Sequence, residues 1–207
     1  MIYLVNNTID GNGDSPREIY DALRRVFPER EVVVELYSDV SLKRVNELHP
    51  LHIILSGQSN PWTDYAPGSL DGARDVIRQA AQPILGICGG HQQVALSYGA
   101  TVDVMRRVTP GTTGYEGCLK ERGFYPVAHD GSELFAGLPP EIIVWHSHYD
   151  EVKNLPDGFR NLARSENCAI QAMRHPTRPL FTVQFHPELF TDEHPAGRRV
   201  LENFLSL

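Results

Sequence analysis

Apolar positions fall into two regimes along the 207-residue chain. In the first hundred residues, short unbroken apolar runs alternate with stretches of helical spacing. Residues 2–6 form a first strand, followed by a polar, glycine-containing loop. Ser15-Pro16-Arg17-Glu18 has the form of a capping box with proline at the first helical position, and Ile19, Leu23 and Val26 follow on one helix face. Residues 31–37 are β-branched and predict a second strand. Residues 42–48 fit a short helix, and residues 52–55 a buried strand ending at Ser56-Gly57. After a polar loop over residues 58–68 comes a helix over residues 69–81. A fourth apolar strand over residues 83–87 runs straight into Cys88-Gly89-Gly90, and residues 91–98 are again helical.

The second hundred residues read differently. Strand candidates follow closely at residues 101–108, 124–129, 142–146, 161–165, 169–173 and 181–185, and only the segment after Asp192, through Val200 and Phe204, is strongly helical. Alternating strands and helices predict an α/β fold with a parallel sheet. The crowded strands add a small antiparallel extension. The expected architecture is an open, mixed, mostly parallel sheet with helices on both faces, flavodoxin-like, in a single domain over residues 1–207.

Composition narrows the setting. No run approaches the roughly 18 apolar residues of a membrane span, and the N-terminus lacks the basic start of a signal peptide. A net charge of −7 argues against a nucleic-acid partner, because phosphate contacts want a basic surface. The three cysteines, Cys88, Cys118 and Cys168, are odd in number and show no metal-ligand spacing. No disulfide framework, metal site or cofactor is expected, and a reducing cytoplasm fits best.

The candidate chemistry lies at two strand ends. At Gly86-Ile87-Cys88-Gly89-Gly90-His91-Gln92 an apolar strand delivers a cysteine to a glycine-bracketed turn, and a helix begins at once. This is the layout of a nucleophile elbow. The free N–H groups and dipole of the new helix favour a thiolate, and the same amides can stabilise an oxyanion. A second apolar strand ends at Gln184-Phe185-His186-Pro187-Glu188, where a carboxylate two residues from an imidazole can hold one tautomer and stabilise the imidazolium. Taken singly, Cys88 also reads as a small core residue, and the His-Pro-Glu run as a polar strand exit.

Together, with about a hundred residues between them, the two motifs resemble those of class I glutamine amidotransferases, whose pattern G-x-C-x-G-x-Q is met at each specified position. The resemblance implies Cys88 as nucleophile, His186 as base and then acid, and Glu188 as its orienting partner. Backbone amides near Gly57 and at Gly89 would form the oxyanion hole, and Gln92 would help to bind glutamine. Within the family the chain is most similar to the glutaminase portion of GMP synthetases. Val144-Trp145-His146-Ser147-His148-Tyr149-Asp150 and Asn167-Cys168-Ala169-Ile170-Gln171-Ala172-Met173 carry that likeness. It places the Tyr149 and Asp150 backbone at the α-amino-acid end of the substrate, and leaves His146 and His148 beside it without a catalytic role.

Three departures stand out. Gln58 replaces a glycine of the usual Ser-Gly-Gly-Pro loop, Tyr149 replaces a small residue beside the pocket, and residues 106–124 form a longer segment rich in glycine. About twenty residues follow Glu188 and no phosphate-binding loop is present, so no ATP-using synthetase domain is expected here. The resulting expectation is a glutaminase subunit that hydrolyses L-glutamine and passes ammonia to a separate synthetase. A hydrolase of γ-glutamyl peptides or conjugates with the same triad, and a non-catalytic binding protein of the same fold, are the alternatives. Cys118 and Cys168, lacking a base or glycine turn, read as structural.

Overall fold

The alternation of the first half holds in space. The computed structural model describes all 207 residues. In it β1 (Ile2–Asn6), β2 (Val32–Leu36), β3 (His52–Leu55) and β4 (Ile84–Ile87) are separated by α1 (Asp14–Val26), α2 (Leu42–Leu48) and α3 (Asp71–Gln79). β1, β3 and β4 are buried along their whole length, as strands of a parallel sheet covered on both faces must be. Successive side chains point to opposite faces. Ile2, Leu4, Ile54 and Leu85 pack on one side with Ile19 and Leu23 of α1. Tyr3, Val5, Ile53 and Ile84 pack on the other with Val76 and Ile77 of α3. Each aliphatic side chain so buried stabilises the fold by roughly 1.5–3 kcal/mol.

Beyond β4 come α4 (Gly89–Ser97), β5 (Val102–Val104), β6 (Glu121–His129), β7 (Glu141–His148), β8 (Asp150–Val152), β9 (Arg160–Arg164), β10 (Ala172–Arg174), β11 (Leu180–Val183) and α5 (Ala196–Leu205). Nine strands form one sheet in the order β2-β1-β3-β4-β11-β10-β9-β6-β7. Pairings from β2 through β11 are parallel, and those from β11 through β7 antiparallel. This is the expected mixed α/β architecture, with an antiparallel side built from β10, β9, β6 and β7. α5 returns to the α1 face, where Val200, Leu201 and Phe204 join that core.

The placement of β11 brings the two candidate motifs together. It lies beside β4 and parallel to it, with Val183 opposite Ile87, so both strands end at the same level of the sheet. The Cys88 N–H donates to the Val183 carbonyl at 2.8 Å, tying the two exits together.

Two local expectations are corrected. Ser15 does not cap α1: Gly13 occupies the cap position without a side-chain bond, and the Ser15 hydroxyl instead accepts the Gly57 N–H at 3.0 Å. A long-range partner displaced the local one, and Pro16 sits where the first turn has no N–H acceptor to lose. The strand expected over residues 101–108 contracts to β5, which pairs with β8 in a separate two-stranded ribbon. Beyond β5 the chain turns back on itself, with the Val108 N–H bonded to Gly117 at 2.7 Å and Arg107 opposite Cys118. Residues 106–120 thereby form a folded-back loop rather than a strand.

Candidate active site

Cys88 stands between the last residue of β4 and the first of α4 with φ 50° and ψ −103°. A non-glycine residue in that region carries roughly 1–3 kcal/mol of strain, and such strain persists where the surroundings enforce it. Here they do. A Cβ on Gly86 would lie 2.6 Å from the Gly90 carbonyl oxygen, and one on Gly89 would lie 2.8 Å from the Gln58 backbone nitrogen. The flanking glycines therefore let α4 and the 56–59 loop close tightly around the sulfur. The side chain remains slightly exposed, at 6%, and lies at the floor of a cleft of about 210 Å3.

His186 leaves the end of β11 beside it. Its backbone N–H donates to the Trp145 carbonyl of β7 at 2.7 Å, and Pro187 starts a single 3-10 turn, Pro187–Leu189, that swings Glu188 under the ring. His186 Nδ1 lies 2.8 Å from Glu188 Oε1. A carboxylate only accepts, so Nδ1 carries the hydrogen and Nε2 is left for the sulfur. Burial by itself favours the neutral ring. The Glu188 carboxylate, together with the neighbouring Cys88, outweighs it and holds the His186 pKa well above 6.5. Glu18 of α1 faces the same pair, and burial followed by repulsion from Glu188 raises its carboxyl pKa.

The remaining expected residues are gathered here, two of them, Gly57 and Gln92, with their polar groups already engaged by protein. The Gly57 N–H is taken by Ser15, whereas the Gln58 backbone nitrogen borders Gly89. Gln92 reaches the cleft, yet its amide is already engaged by protein. Its oxygen accepts from Trp62 at 3.0 Å, and its nitrogen donates to the Asp150 carbonyl and to Gln184, both at 3.2 Å. Gln92 thus joins the 58–68 loop to β8 and to the residue that follows β11. Gln184 in turn directs its amide to Cys88 Sγ at 3.6 Å. Tyr149 and Asp150 line the mouth of the cleft. Tyr115 and Lys120 share that lining and were not foreseen as site residues, because nothing in the local pattern ties the 106–120 loop to β8. A larger groove of about 470 Å3 between β7 and α5 contains none of these side chains.

A buried polar cluster adjoins the site, and His148, one of its members, belongs to the cleft lining. Glu121 Oε2 is 2.9 Å from His146 Nδ1 and 3.0 Å from His148 Nε2. Burial disfavours the carboxylate, but the two rings prevail and hold its pKa well below the usual range. Burial also keeps His146 below 6.5 despite Glu121. These three side chains could hold a metal ion, but mutual pairing already accounts for their convergence. His91 is fully buried with Nδ1 2.7 Å from the Thr182 hydroxyl, and burial lowers its pKa to about 3, which makes it a neutral packing residue. Burial raises the Cys168 thiol far above its ordinary pKa, leaving it unreactive.

Comparison with known proteins gives the family. The family model for glutamine amidotransferase class-I matches residues 13–207. The glutamine-hydrolyzing GMP synthase subunit of Pyrococcus abyssi is 35% identical over 199 residues, 96% of each chain. The protein of the same name from Methanosarcina barkeri is 44% identical over 133 residues, an alignment that spans 64% of either chain. A crystal structure from Thermoplasma acidophilum, provisionally assigned to the same GMP synthase subunit, superimposes with a TM-score of 0.79 at 31% identity. That match covers 99% of this chain and 92% of the other. The chain belongs to the class I glutamine amidotransferase family.

Proposed function

We propose that the chain is a glutaminase subunit that hydrolyses L-glutamine to glutamate and ammonia, and that a separate synthetase subunit receives the ammonia. The observation that carries this reading is the buried His186–Glu188 pair at 2.8 Å beside a strained Cys88 at a helix start. The names of the similar GMP synthase subunits support the partner.

The sulfur of Cys88 attacks the side-chain carbonyl carbon of glutamine, and the π electrons move to the oxygen. The backbone N–H groups of Gln58 and Gly89 receive that oxyanion, while Gly57 fixes the position of the loop through Ser15. Collapse expels the amide nitrogen, which takes a proton from His186 and leaves as ammonia. The now neutral His186 deprotonates water, which attacks the γ-glutamyl thioester. Glutamate departs as the thiolate re-forms and His186 regains its proton. Glu188 stabilises the imidazolium in both halves.

The test is ammonia release from L-glutamine by the wild type and by Cys88→Ala, each with and without the synthetase, together with labelling by a glutamine-analogue electrophile. Loss of both turnover and labelling in the variant is expected. Brisk turnover by Cys88→Ala would overturn the mechanism, and faster turnover of γ-glutamyl dipeptides than of glutamine would replace the substrate.

A further inference from the structure

The mouth of the cleft holds opposite charges on a frame that the 106–120 loop builds. Tyr115 Oη donates to Asp150 Oδ2 at 2.6 Å, and its ring stacks on Tyr149 with centroids 4.9 Å apart. Lys120 Nζ sits 4.6 Å from the centre of the same Tyr149 ring. Among the residues lining the cleft, Lys120 is the one permanent cation and Asp150 the one carboxylate; Lys120 is exposed, Asp150 half-buried and Cys88 buried. The neighbouring Lys153 is engaged by Glu151 and the Met105 carbonyl, so it does not answer Asp150 at close range. Burial, joined by repulsion from Asp103, raises the Asp150 carboxyl pKa against the hydrogen bond from Tyr115 and the nearby His148 and Lys153.

We propose that the 106–120 loop sets substrate specificity: Lys120, steadied over the Tyr149 ring, pairs with the α-carboxylate of the substrate, and Tyr115 holds Asp150 towards its α-ammonium. This inference rests on the glutaminase reading and deepens it. A γ-carboxamide reaches the sulfur only when the zwitterionic end is anchored at the mouth, so amides without an α-amino-acid group are excluded by unpaired charges as well as by shape. The stacked tyrosines keep this anchor rigid, with Tyr149 supplying the aromatic face on which a lysine stem and ammonium rest.

The experiment reads binding, so that it stands apart from turnover. In the Cys88→Ala background, calorimetry compares L-glutamine with 4-aminobutanamide, which keeps the ammonium and the amide but lacks the carboxylate. Lys120→Ala should weaken glutamine binding roughly 10- to 100-fold, the range of a hydrogen bond to a charged group, and Lys120→Arg should restore most of it. Binding of 4-aminobutanamide should be weak in both backgrounds and indifferent to Lys120. In the otherwise wild-type enzyme, Lys120→Ala should raise KM for glutamine far more than it lowers kcat. Equal losses for both ligands, or undiminished glutamine affinity in Lys120→Ala, would overturn the proposal. If wild-type glutamine turnover persists in that case, only this inference falls; if the wild type neither binds nor turns over glutamine, the glutaminase reading falls with it.

Discussion

At the scale of single residues, the controlling quantity is the proton on His186. Glu188 raises the His186 pKa against burial, so the imidazolium that the proposed mechanism uses to protonate the departing amide nitrogen persists well above pH 6.5. The alkaline limb of kcat/KM should therefore lie clearly above that value. Glu188→Gln removes the raising charge, so the limb should move to lower pH, read from a pH–rate profile on glutamine. His186→Ala should lower kcat by roughly 10²–10⁴-fold, the usual size of general acid–base catalysis. Glu121 behaves in the opposite sense. Its folded pKa is depressed, so its contribution to stability is complete above the unfolded value near 4.5 and is lost as pH falls below it. Denaturant midpoints measured from pH 7 to pH 3 should fall more steeply in the wild type than in Glu121→Gln. The variant should be the less stable of the two at pH 7.

At the scale of elements, the catalytic centre depends on how loops are pinned to the sheet. Ser15 of α1 holds the Gly57 N–H. Ser15→Ala would leave a buried donor without its partner, and should cost roughly 1–3 kcal/mol in chemical denaturation. Much of this layer was legible in the sequence. The β4 run and its glycine turn marked Cys88 as the candidate nucleophile because strand, elbow and helix start are adjacent along the chain. His186 and Glu188 were legible for the same reason, being two residues apart at a strand exit. Ser15 misled because its capping pattern is local whereas its actual acceptor role spans 42 residues. β8 escaped notice because a three-residue strand is too short to show alternation. Tyr115 and Lys120 belong to the site only because the loop after β5 folds back onto Tyr149, a tertiary contact without periodic signature.

At the scale of the whole molecule, the sheet divides the labour. Its parallel half supplies Cys88 and the 56–59 loop, while the antiparallel half, through Trp145 and the Glu121–His146–His148 cluster, backs His186 and carries the mouth of the cleft. The spacing of the strands already predicts a parallel half with an antiparallel extension; what it cannot reveal is the strand order that sets β11 beside β4, since that depends on long-range pairing and not on neighbours in sequence. If a synthetase docks over the mouth, glutamine turnover should rise on mixing while the Lys120→Ala penalty on KM persists. Steady-state assays with and without the partner measure both.

The insertion of β11 next to β4 also carries a consequence for the order of events during synthesis. β11 is the last of the eleven strands to emerge, although its place is in the middle of the sheet. Until it arrives, Cys88 has neither His186 beside it nor the Val183 carbonyl that fixes its backbone N–H. On the glutaminase reading, a nascent chain thus carries Cys88 without its base, and the step that completes the sheet is the one that would switch the sulfur on.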